Sequence, residues 1–494
     1  MGRRIGNGVG HGAAGSAAPA PVASPAGRPL CDPADRTSLL WAAILASSLG
    51  FIDSSVTAIA IPAIRSALDA GLTGAQWISN AYLVALSALV LAGGAMGDRF
   101  GVARVFRLGI VLFAAGSLAC TLAQDTGSMI AARAFKGIGA ALMVPGSMAL
   151  IGRLYPREER GRALGLWAAA STATTALGPV LGGMILTWGG PEAWRIVFAV
   201  NLPLGAVAWW ILRTRVRHDP GRPGTPVDWG GAALATLGLG LGAAALTGAG
   251  ALAWPLGGAA LAVLAGFVAW EARSPHPMMR LGLFADPGFA AANLATLFLY
   301  FGLAAVMFYL PMVAIAAWRV TPLEVTAAFV PLSVMIGLLS APAGRWADRV
   351  GAAPLIAGGS ALVALAYAAL AMTAGQADFW GRAVPAMVVS GLGMALVVAP
   401  LTAAVMAAAG DAEQGAASGI NNAVSRVAGT MAVAAMGTLA GSVYGTAGPG
   451  FGLPGVAPEH VAATGRAFAA VAWTAAAAAA AAAAISLGRA RRRG

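Results

Sequence analysis

The sequence predicts an all-α protein that crosses a membrane many times, and three observations lead to this fold class. Hydrophobic residues make up 59% of the 494-residue chain and charged residues only 10%, with a mean hydropathy of +0.77. A soluble globular domain is about 25% charged. The apolar residues fall into runs of about 20, the length that a helix needs to cross the hydrocarbon core of a bilayer. Because backbone amides in lipid must be hydrogen-bonded within their own segment, each run is expected to be a helix.

The apolar runs predict fourteen membrane spans. Counts of twelve or thirteen are the alternatives, because the seventh and eighth runs are the weakest. The predicted spans are 39–62, 74–96, 104–124, 128–150, 162–187, 194–213, 229–248, 252–271, 287–315, 322–344, 351–374, 378–406, 413–441 and 463–488.

An internal repeat supports this count independently. The segment from Gly94 to Gly101 (GAMGDRFG) has a counterpart from Gly344 to Gly351 (GRWADRVG), and the glycine, aspartate and arginine positions that they share are 250 residues apart. Two equivalent loops on one face of a membrane must be separated by an even number of spans, and eight predicted spans lie between these two. Two related six-helix halves with two inserted helices give this arrangement.

The distribution of arginine predicts how the chain is oriented. If both termini are cytosolic, 23 arginines lie on the cytosolic side and five on the outer side. The positive-inside rule then predicts a multi-pass protein of the cytoplasmic membrane with both termini in the cytosol. The predicted domains are a disordered cytosolic tail (1–36), an N-terminal six-helix bundle (37–215), two inserted transmembrane helices with their loops (216–280), a C-terminal six-helix bundle (281–489) and a basic tail (490–494).

The residue inventory argues against several function classes. All four histidines lie in predicted tails or loops, and the two cysteines, Cys31 and Cys120, are far apart, so neither a metal site nor a catalytic cluster is expected. The Gly-rich phosphate loop of an ATP-driven pump is absent from the sequence. The basic residues lie in short clusters between apolar runs, unlike those that bind nucleic acid. A carrier that is not an enzyme is therefore expected, with a receptor or channel as the alternative.

Asp53 is the acid nearest to the middle of any predicted span. An ionised carboxylate at that depth costs at least about 2.5 kcal/mol. Burial favours its protonated form and a nearby cation favours its ionised form, so Asp53 has the properties of a reversible proton site. Arg133, and Lys136 three residues further along the fourth span, are the candidate partners. A purely structural role is the alternative for both Asp53 and Arg133.

The repeated loop is a candidate gate on the cytosolic side. Small residues in it allow two helix backbones to approach closely. Asp98 can pair with Arg99 or Arg104, or accept hydrogen bonds from a neighbouring helix N-terminus, and either contact would hold the cytosolic side closed. The alternative is a simple turn with solvated charges. The predicted gate residues are Gly94, Asp98, Arg99, Gly101, Arg104, Asp348 and Arg349.

Two further sets of residues have expected roles in packing and binding. Gly178, Pro179, Gly182 and Gly183 remove side-chain bulk and one backbone donor from the fifth span, which suits a helix that packs tightly and bends. A central cavity that is mostly apolar suits bulky amphipathic compounds. Arg426 is expected either to seal the cytosolic end of its helix, which is favoured, or to face this cavity. The candidate cavity residues, of which each aromatic one has lipid contact as its alternative, are Trp41, Trp77, Lys136, Trp167, Phe301, Met307, Phe308 and Arg426.

The ordered set of motifs resembles the major facilitator superfamily, specifically its fourteen-helix drug:proton antiporter branch. Besides the repeated loop and the glycines of the fifth span, the first, fourth, sixth and thirteenth spans carry matching segments. These segments are Asp53 to Pro62, Arg133 to Gly139, Trp194 to Gly205 and Gly415 to Gly429. Lys136 departs from the pattern, since the branch commonly has glutamine at that position.

The resemblance implies a major facilitator fold and a proton-coupled antiporter that exports hydrophobic or amphipathic drugs or antibiotics by alternating access. It implies a gating role for Asp98 and Asp348, and no cofactor, because a proton gradient supplies the energy. A proton-coupled uptake permease of the same fold for a small metabolite is the alternative. The expected partners are a small-molecule substrate, protons and the lipid bilayer, with no nucleic acid and a monomeric state. Lys136 and Arg426 favour a neutral or anionic substrate.

Overall fold

The computed structural model describes residues 30–217, 219–222, 224, 226–248, 250–409 and 413–493. Within these ranges, fourteen helical segments have the length and hydropathy needed to cross a membrane, so the predicted fold class and span count are confirmed. The helices are α1 (Arg36–Ala67), α2 (Leu72–Phe100), α3 (Val102–Leu122), α4 (Thr126–Leu154), α5 (Arg157–Trp188), α6 (Ala193–Ala199), α7 (Asn201–Arg215), α8 (Trp229–Leu246), α9 (Ala253–Arg273), α10 (Pro287–Ala316), α11 (Pro322–Val350), α12 (Ala352–Thr373), α13 (Val384–Ala407), α14 (Gln414–Tyr444) and α15 (Pro458–Arg493).

The sixth span consists of α6 and α7 together and covers Ala193–Arg215. Trp194, near its start, is fully buried. Arg195 donates hydrogen bonds through Nη1 to the carbonyl oxygens of Thr121 at 2.8 Å and Ala123 at 2.6 Å. These carbonyls lie at the end of α3, where the last carbonyl oxygens of a helix have no N–H partner within the helix. Arg195 therefore fastens the start of the sixth span to the end of the third.

Residues 1–29 of the predicted disordered tail (1–36) lie outside the described residues. Residues Pro33–Asp35 form a short 3-10 helix and Arg36 begins α1, so the prediction of disorder was wrong for that part. Cys31 is buried, and burial raises the pKa of its thiol. Asp35 forms an ion pair with Arg215, at the end of α7, with 2.7 Å between Oδ1 and Nη1. At the other end of the chain, α15 continues through residues 490–493 of the predicted basic tail.

The repeated loop has the same backbone conformation in both halves. Gly101 ends α2 with φ of +101°, and Gly351 ends α11 with φ of +90°. Side chains disfavour this left-handed region, which explains a glycine at both positions. The N–H of each glycine bonds to the carbonyl of the residue four positions earlier, at 3.0 Å and 2.8 Å. In both halves the next helix begins one residue later.

Glycines also allow close helix contacts in each half. In the first half, a Cβ added at Gly109 of α3 would lie 2.9 Å from the carbonyl oxygen of Gly139 of α4. In the second half, a Cβ at Gly359 of α12 would lie 2.6 Å from the carbonyl oxygen of Gly393 of α13. Gly109 and Gly359 are 250 residues apart, like the repeated loops. The two halves therefore share a pair of helices that approach each other without intervening side chains.

The two six-helix groups meet chiefly along three pairs of helices. Helix α5 packs against α11, α2 packs against α14, and α1 packs against α10. The inserted helices α8 and α9 pack chiefly against each other, and α8 also contacts α2 and α14. The inserted pair therefore lies beside one of the contacts between the two groups. The predicted domain boundaries near residues 215 and 280 remain a prediction.

We expect Gly139→Ala to destabilise the protein by about 1–3 kcal/mol, because the added methyl group overpacks a close helix contact. It would lie 2.8 Å from Cα of Phe113 and 2.9 Å from the carbonyl oxygen of Gly109. Gly152→Ala, on the same helix, is the control, since a Cβ there has no neighbour within 4 Å. It is expected to be neutral or stabilising by up to about 1 kcal/mol. Thermal unfolding of the purified variants in detergent tests this, and equal midpoints for both would contradict it.

Candidate functional site

A buried cluster of three charged side chains lies between α1 and α4. Asp53 of α1 is 1% exposed, and Arg133 and Lys136 of α4 are 2% and 0% exposed. Nη1 of Arg133 lies 2.6 Å from Oδ2 of Asp53, and the Lys136 ammonium bonds to Oδ1. Three residues of separation place both cations on neighbouring positions of one helix surface. The structure thus brings Asp53 together with the two partners that the sequence suggested.

Aromatic rings surround the two cations. The Arg133 guanidinium lies 4.5 Å from the ring centroid of Tyr82, and the Lys136 ammonium lies 4.5 Å from that of Phe113. Phe198 is within 6.0 Å and 5.0 Å of the same two cations. Rings at these distances attract a cation through their negative faces. They partly replace the water that both side chains lose on burial.

The charges in this cluster do not balance, since two cations share one carboxylate. A buried ion pair gains little net stability, because desolvation offsets the attraction of its charges. Removing one partner is far more costly, at about 3–5 kcal/mol, because the other charge is left buried and unpaired. Asp53 therefore matters more to the cluster than either cation does. Nε of Arg133 also donates to the carbonyl oxygen of Ile78 at 3.0 Å, which fixes the guanidinium on α2.

Two neighbouring cavities lie beside the cluster. The smaller, of about 150 Å³, has walls from both halves and includes Arg133, Pro179, Met307 and Phe308. The larger, of about 300 Å³, is lined by Trp167, Arg426 and other residues of α1, α2, α3, α4, α5 and α14. Ser54 and Tyr82 line both cavities, so the two are adjacent.

The structure places five of the eight candidate cavity residues in the two cavities or in the ion cluster. Met307 and Phe308 line the smaller cavity, and Trp167 and Arg426 line the larger one, so the cavity-facing alternative applies to Arg426. Lys136 is enclosed in the ion cluster. Of the other three residues, the placement of Trp41 in the cavity was wrong, and those of Trp77 and Phe301 stay predictions. Trp41 is 48% exposed on the outer surface of α1, as expected of a side chain in contact with lipid, and neither cavity includes Trp77 or Phe301.

The glycines of the fifth span allow α5 to contact both halves. A Cβ at Gly178 would lie 2.7 Å from Oγ of Ser55, and one at Gly182 would lie 3.0 Å from a valine methyl group, both on α1. A Cβ at Gly183 would lie 2.8 Å from a carbonyl oxygen at the start of α11. Thr187, one turn further along, accepts a hydrogen bond at 3.1 Å from a backbone N–H of α11. The segment therefore packs α5 against its own half and against the other half.

The two ends of the bundle differ, and we name them by their residues. The arginine-rich face is the end where α1 begins and α2 ends, with Arg36, Asp98 and Arg153, and the opposite face is the other end. The helices alternate in direction, so every odd-numbered span begins at the arginine-rich face.

Buried hydrogen bonds join the two halves near the opposite face. Arg65 of α1 is 2% exposed and donates through Nη1 to the carbonyl oxygen of Phe451 at 2.7 Å. Gln76 of α2 donates to the carbonyl oxygens of Val433 at 2.8 Å and Ala434 at 2.7 Å. In both contacts, a side chain of the first half bonds to backbone of the second half. We call these five residues the opposite-face seal.

At the arginine-rich face, the predicted partner of Asp98 was wrong. Among the described residues, Asp98 pairs with Arg153 at the end of α4, at 3.1 Å, and not with Arg99 or Arg104. Nor does it bond to the N-terminus of α3, because Asp219 occupies that position and accepts from the N–H of Ala103 at 2.6 Å. Asp219 also pairs with Arg153, at 3.2 Å.

Sequence reasoning missed Arg153 and Asp219. Arg153 is 55 residues from Asp98 and 66 from Asp219, so local spacing carries no signal of their contact. The two halves also differ at this face. Asp348, the counterpart of Asp98, lines a separate cavity of about 310 Å³ between the helices of the second half.

Comparison with known proteins gives one family and a consistent set of relatives. The model of the Major Facilitator Superfamily matches residues 43–434. The chain is 30% identical over 443 residues to the tetracenomycin C resistance and export protein of Streptomyces glaucescens, covering 86% of this chain and 81% of the relative. It is 33% identical over 425 residues to the cephamycin export protein CmcT of Amycolatopsis lactamdurans, covering 83% and 86%.

Solved structures of transporters share the fold. A bacterial homologue of the human lysosomal transporter Spinster, in an inward-facing and unoccupied conformation, matches with a TM-score of 0.66 at 17% identity, covering 92% of this chain and 98% of that chain. The xylose transporter XylE from E. coli, in an inward-open conformation, matches with a TM-score of 0.61 at 15% identity, covering 92% and 95%. At these identities the likeness concerns the fold alone.

We expect Asp53→Asn to cost about 3–5 kcal/mol of stability, because it leaves two buried cations without a counter-charge. Lys136→Gln is expected to cost clearly less, since Asp53 and Arg133 then remain as a matched pair. Unfolding of the purified variants in detergent, followed by temperature or denaturant, measures the difference. An equal or larger loss in Lys136→Gln would show that the excess positive charge does not govern the cluster.

Proposed function

This chain belongs to the Major Facilitator Superfamily, and we propose that it is a proton-coupled antiporter that exports hydrophobic or amphipathic compounds. The single observation that carries the coupling part of this proposal is the buried Asp53, held by two cations beside cavities that both halves help to form. Ionisable side chains at membrane depth are costly and usually take part in the transport of protons, ions or substrates. A purely structural membrane protein is therefore not expected to contain such a cluster.

The names of several relatives support the export of antibiotics or drugs. Besides the two export proteins, the chain is 29% identical over 419 residues to the multidrug resistance protein Stp of Mycobacterium tuberculosis, covering 82% of this chain and 76% of the relative. Apolar and aromatic walls around both cavities suit substrates of this kind. We propose a small-molecule substrate of amphipathic character on that basis.

In the proposed cycle, the proton binds to Asp53. Arg133 lines the smaller cavity and touches Asp53, so a proton that enters this cavity is one side chain away from the carboxylate. Protonation removes the charge that holds Arg133 and Lys136, which loosens α1 from α4. Substrate and proton then favour different arrangements of the two halves. This difference couples the transport of the substrate to the transport of the proton.

Helix α1 provides a route from the proton site to the opposite-face seal. Arg65 lies about three turns further along the same helix as Asp53. A shift of α1 after protonation therefore acts on the bond from Arg65 to Phe451. We propose that the seal opens and closes in this way while the fifth helix maintains contact between the halves.

We further propose that the arginine-rich face is cytosolic, that the protein lies in the cytoplasmic membrane, and that it works as a monomer. The positive-inside rule supports this orientation. In that orientation, the seal closes the outer side in this structure. The larger cavity is reached from the cytosolic side, where Asn422 at its edge is exposed.

The test uses inverted membrane vesicles, in which an exporter accumulates substrate at the expense of the proton gradient. We expect the unmodified protein to accumulate at least one drug of a panel, and Asp53→Asn to reduce this accumulation to the level of vesicles without the protein. Asp378→Asn, which alters an exposed acid of the opposite face, is the control and is expected to transport normally.

The variant must also be shown to fold. Downhill exchange of the same drug without a gradient should persist in Asp53→Asn, because only coupling is removed. Undiminished gradient-driven accumulation in Asp53→Asn would exclude the proton-carrying role. Accumulation in right-side-out vesicles instead of inverted ones would identify an uptake permease.

A further inference from the structure

We propose that the larger cavity binds substrates that carry an anionic group on a planar aromatic body, and that Arg426 is the residue that pairs with this group. The inference rests on the proposed function and assigns a substrate class to the same site. It follows from the charge, the contacts and the walls of the cavity.

Arg426 is the only charged side chain among the described residues that line this cavity. The described chain offers it no carboxylate within ion-pair distance, and its Nε is buried without a hydrogen-bond partner. A guanidinium in a membrane-embedded cavity normally has a counter-charge. Arg426 therefore lacks a counter-charge, and an anionic ligand in the cavity can supply it.

The nearby ionised groups do not compensate for this charge. Asp53 already bonds to Arg133 and Lys136, and that cluster itself has an excess of one cation. From the sequence alone, Lys136 and Arg426 were both candidates for the residue that binds an anionic substrate. The structure separates them, since Lys136 is 0% exposed and enclosed by aromatic rings, whereas Arg426 lines open space.

The remaining walls indicate the body of the ligand. Phe51, Tyr82, Phe113 and Trp167 contribute aromatic surface around about 300 Å³, near the lower end of the range of about 300–1,000 Å³ that is typical of ligand pockets. Trp167 donates through Nε1 to Oγ of Ser47 at 3.0 Å, which fixes the indole ring. Fixed aromatic walls favour a flat ring system.

The chemistry of the guanidinium narrows the ligand further. Its planar fork of N–H donors matches two oxygens of one carboxylate or a similar anion. A cationic substrate would be repelled by Arg426 and find no acid in the cavity walls among the described residues. An aromatic carboxylate therefore fits this cavity better than a cationic dye of the same size.

The test compares three probes on one ring system, namely anthracene carboxylate, the corresponding carboxamide and the corresponding methylammonium. Equilibrium dialysis measures their binding to the full-length chain in lipid nanodiscs. The unmodified protein is expected to bind the carboxylate about tenfold or more tightly than the carboxamide, and the methylammonium most weakly. Arg426→Gln should bind the carboxylate and carboxamide within about twofold of each other.

Two further variants separate charge from structure. Arg426→Lys should retain part of the preference for the carboxylate, because it retains the positive charge. Arg382→Gln, which alters a half-exposed arginine of the opposite face, should retain all of it. Arg426→Gln should still bind the carboxamide as the unmodified protein does, and loss of that binding would contradict the inference because it indicates a structural role.

The inference is overturned if the unmodified protein does not bind the carboxylate, binds all three probes equally, or retains its preference in Arg426→Gln. Transport of the same probes into inverted vesicles distinguishes this outcome from failure of the proposed function. If only the inference fails, the unmodified protein still accumulates a compound with a proton gradient, either one of the three probes or a drug of the panel. If the proposed function fails, it accumulates none of them, whatever their affinities.

Discussion

The structure depends on one carboxylate that is shared by two cations inside the first six-helix group. Asp53 connects α1 to α4, and Arg133 extends the connection to α2 through the carbonyl oxygen of Ile78. Three helices therefore meet at a single negative charge. Because that charge can be removed by one proton, the same contact that fixes these helices is also the point at which they can be released.

The rest of the fold permits such a release. Close glycine contacts, at Gly109 with Gly139 and at Gly359 with Gly393, keep two pairs of helices together as rigid units. The contacts between the two halves also include hydrogen bonds from Arg65 and Gln76 to backbone carbonyls. Such bonds can be exchanged for water, whereas packed backbones cannot separate without a large loss of contact. Movement is therefore expected where these bonds join the halves and at α1, and not within the two glycine-packed pairs.

Much of this architecture could be predicted from the sequence, because lipid allows few alternatives. Apolar runs of spanning length gave the fourteen helices, and the repeat at Gly101 and Gly351 marked two turns that share one backbone conformation. Asp53, Arg133 and Lys136 were found because ionisable groups are rare at membrane depth. The partners of Asp98 were not found, since Arg153 and Asp219 lie on other segments, and exposed arginines offer many equivalent choices. The location of Trp41 also escaped prediction, because an aromatic residue suits lipid and cavity equally well.

The central claim is that Asp53 exchanges its proton when substrate binds, and isotope-edited infrared difference spectroscopy tests it most directly. Aspartate labelled at the carboxyl carbon would be introduced into the protein, and a transported drug would be added in lipid at constant pH. The account predicts that acidification without drug produces a protonated carboxyl band, that drug binding at that pH removes the band and releases one proton to the solvent, and that Asp53→Asn shows neither change. An identical band and identical proton release in Asp53→Asn, or no change in the unmodified protein, would contradict the account.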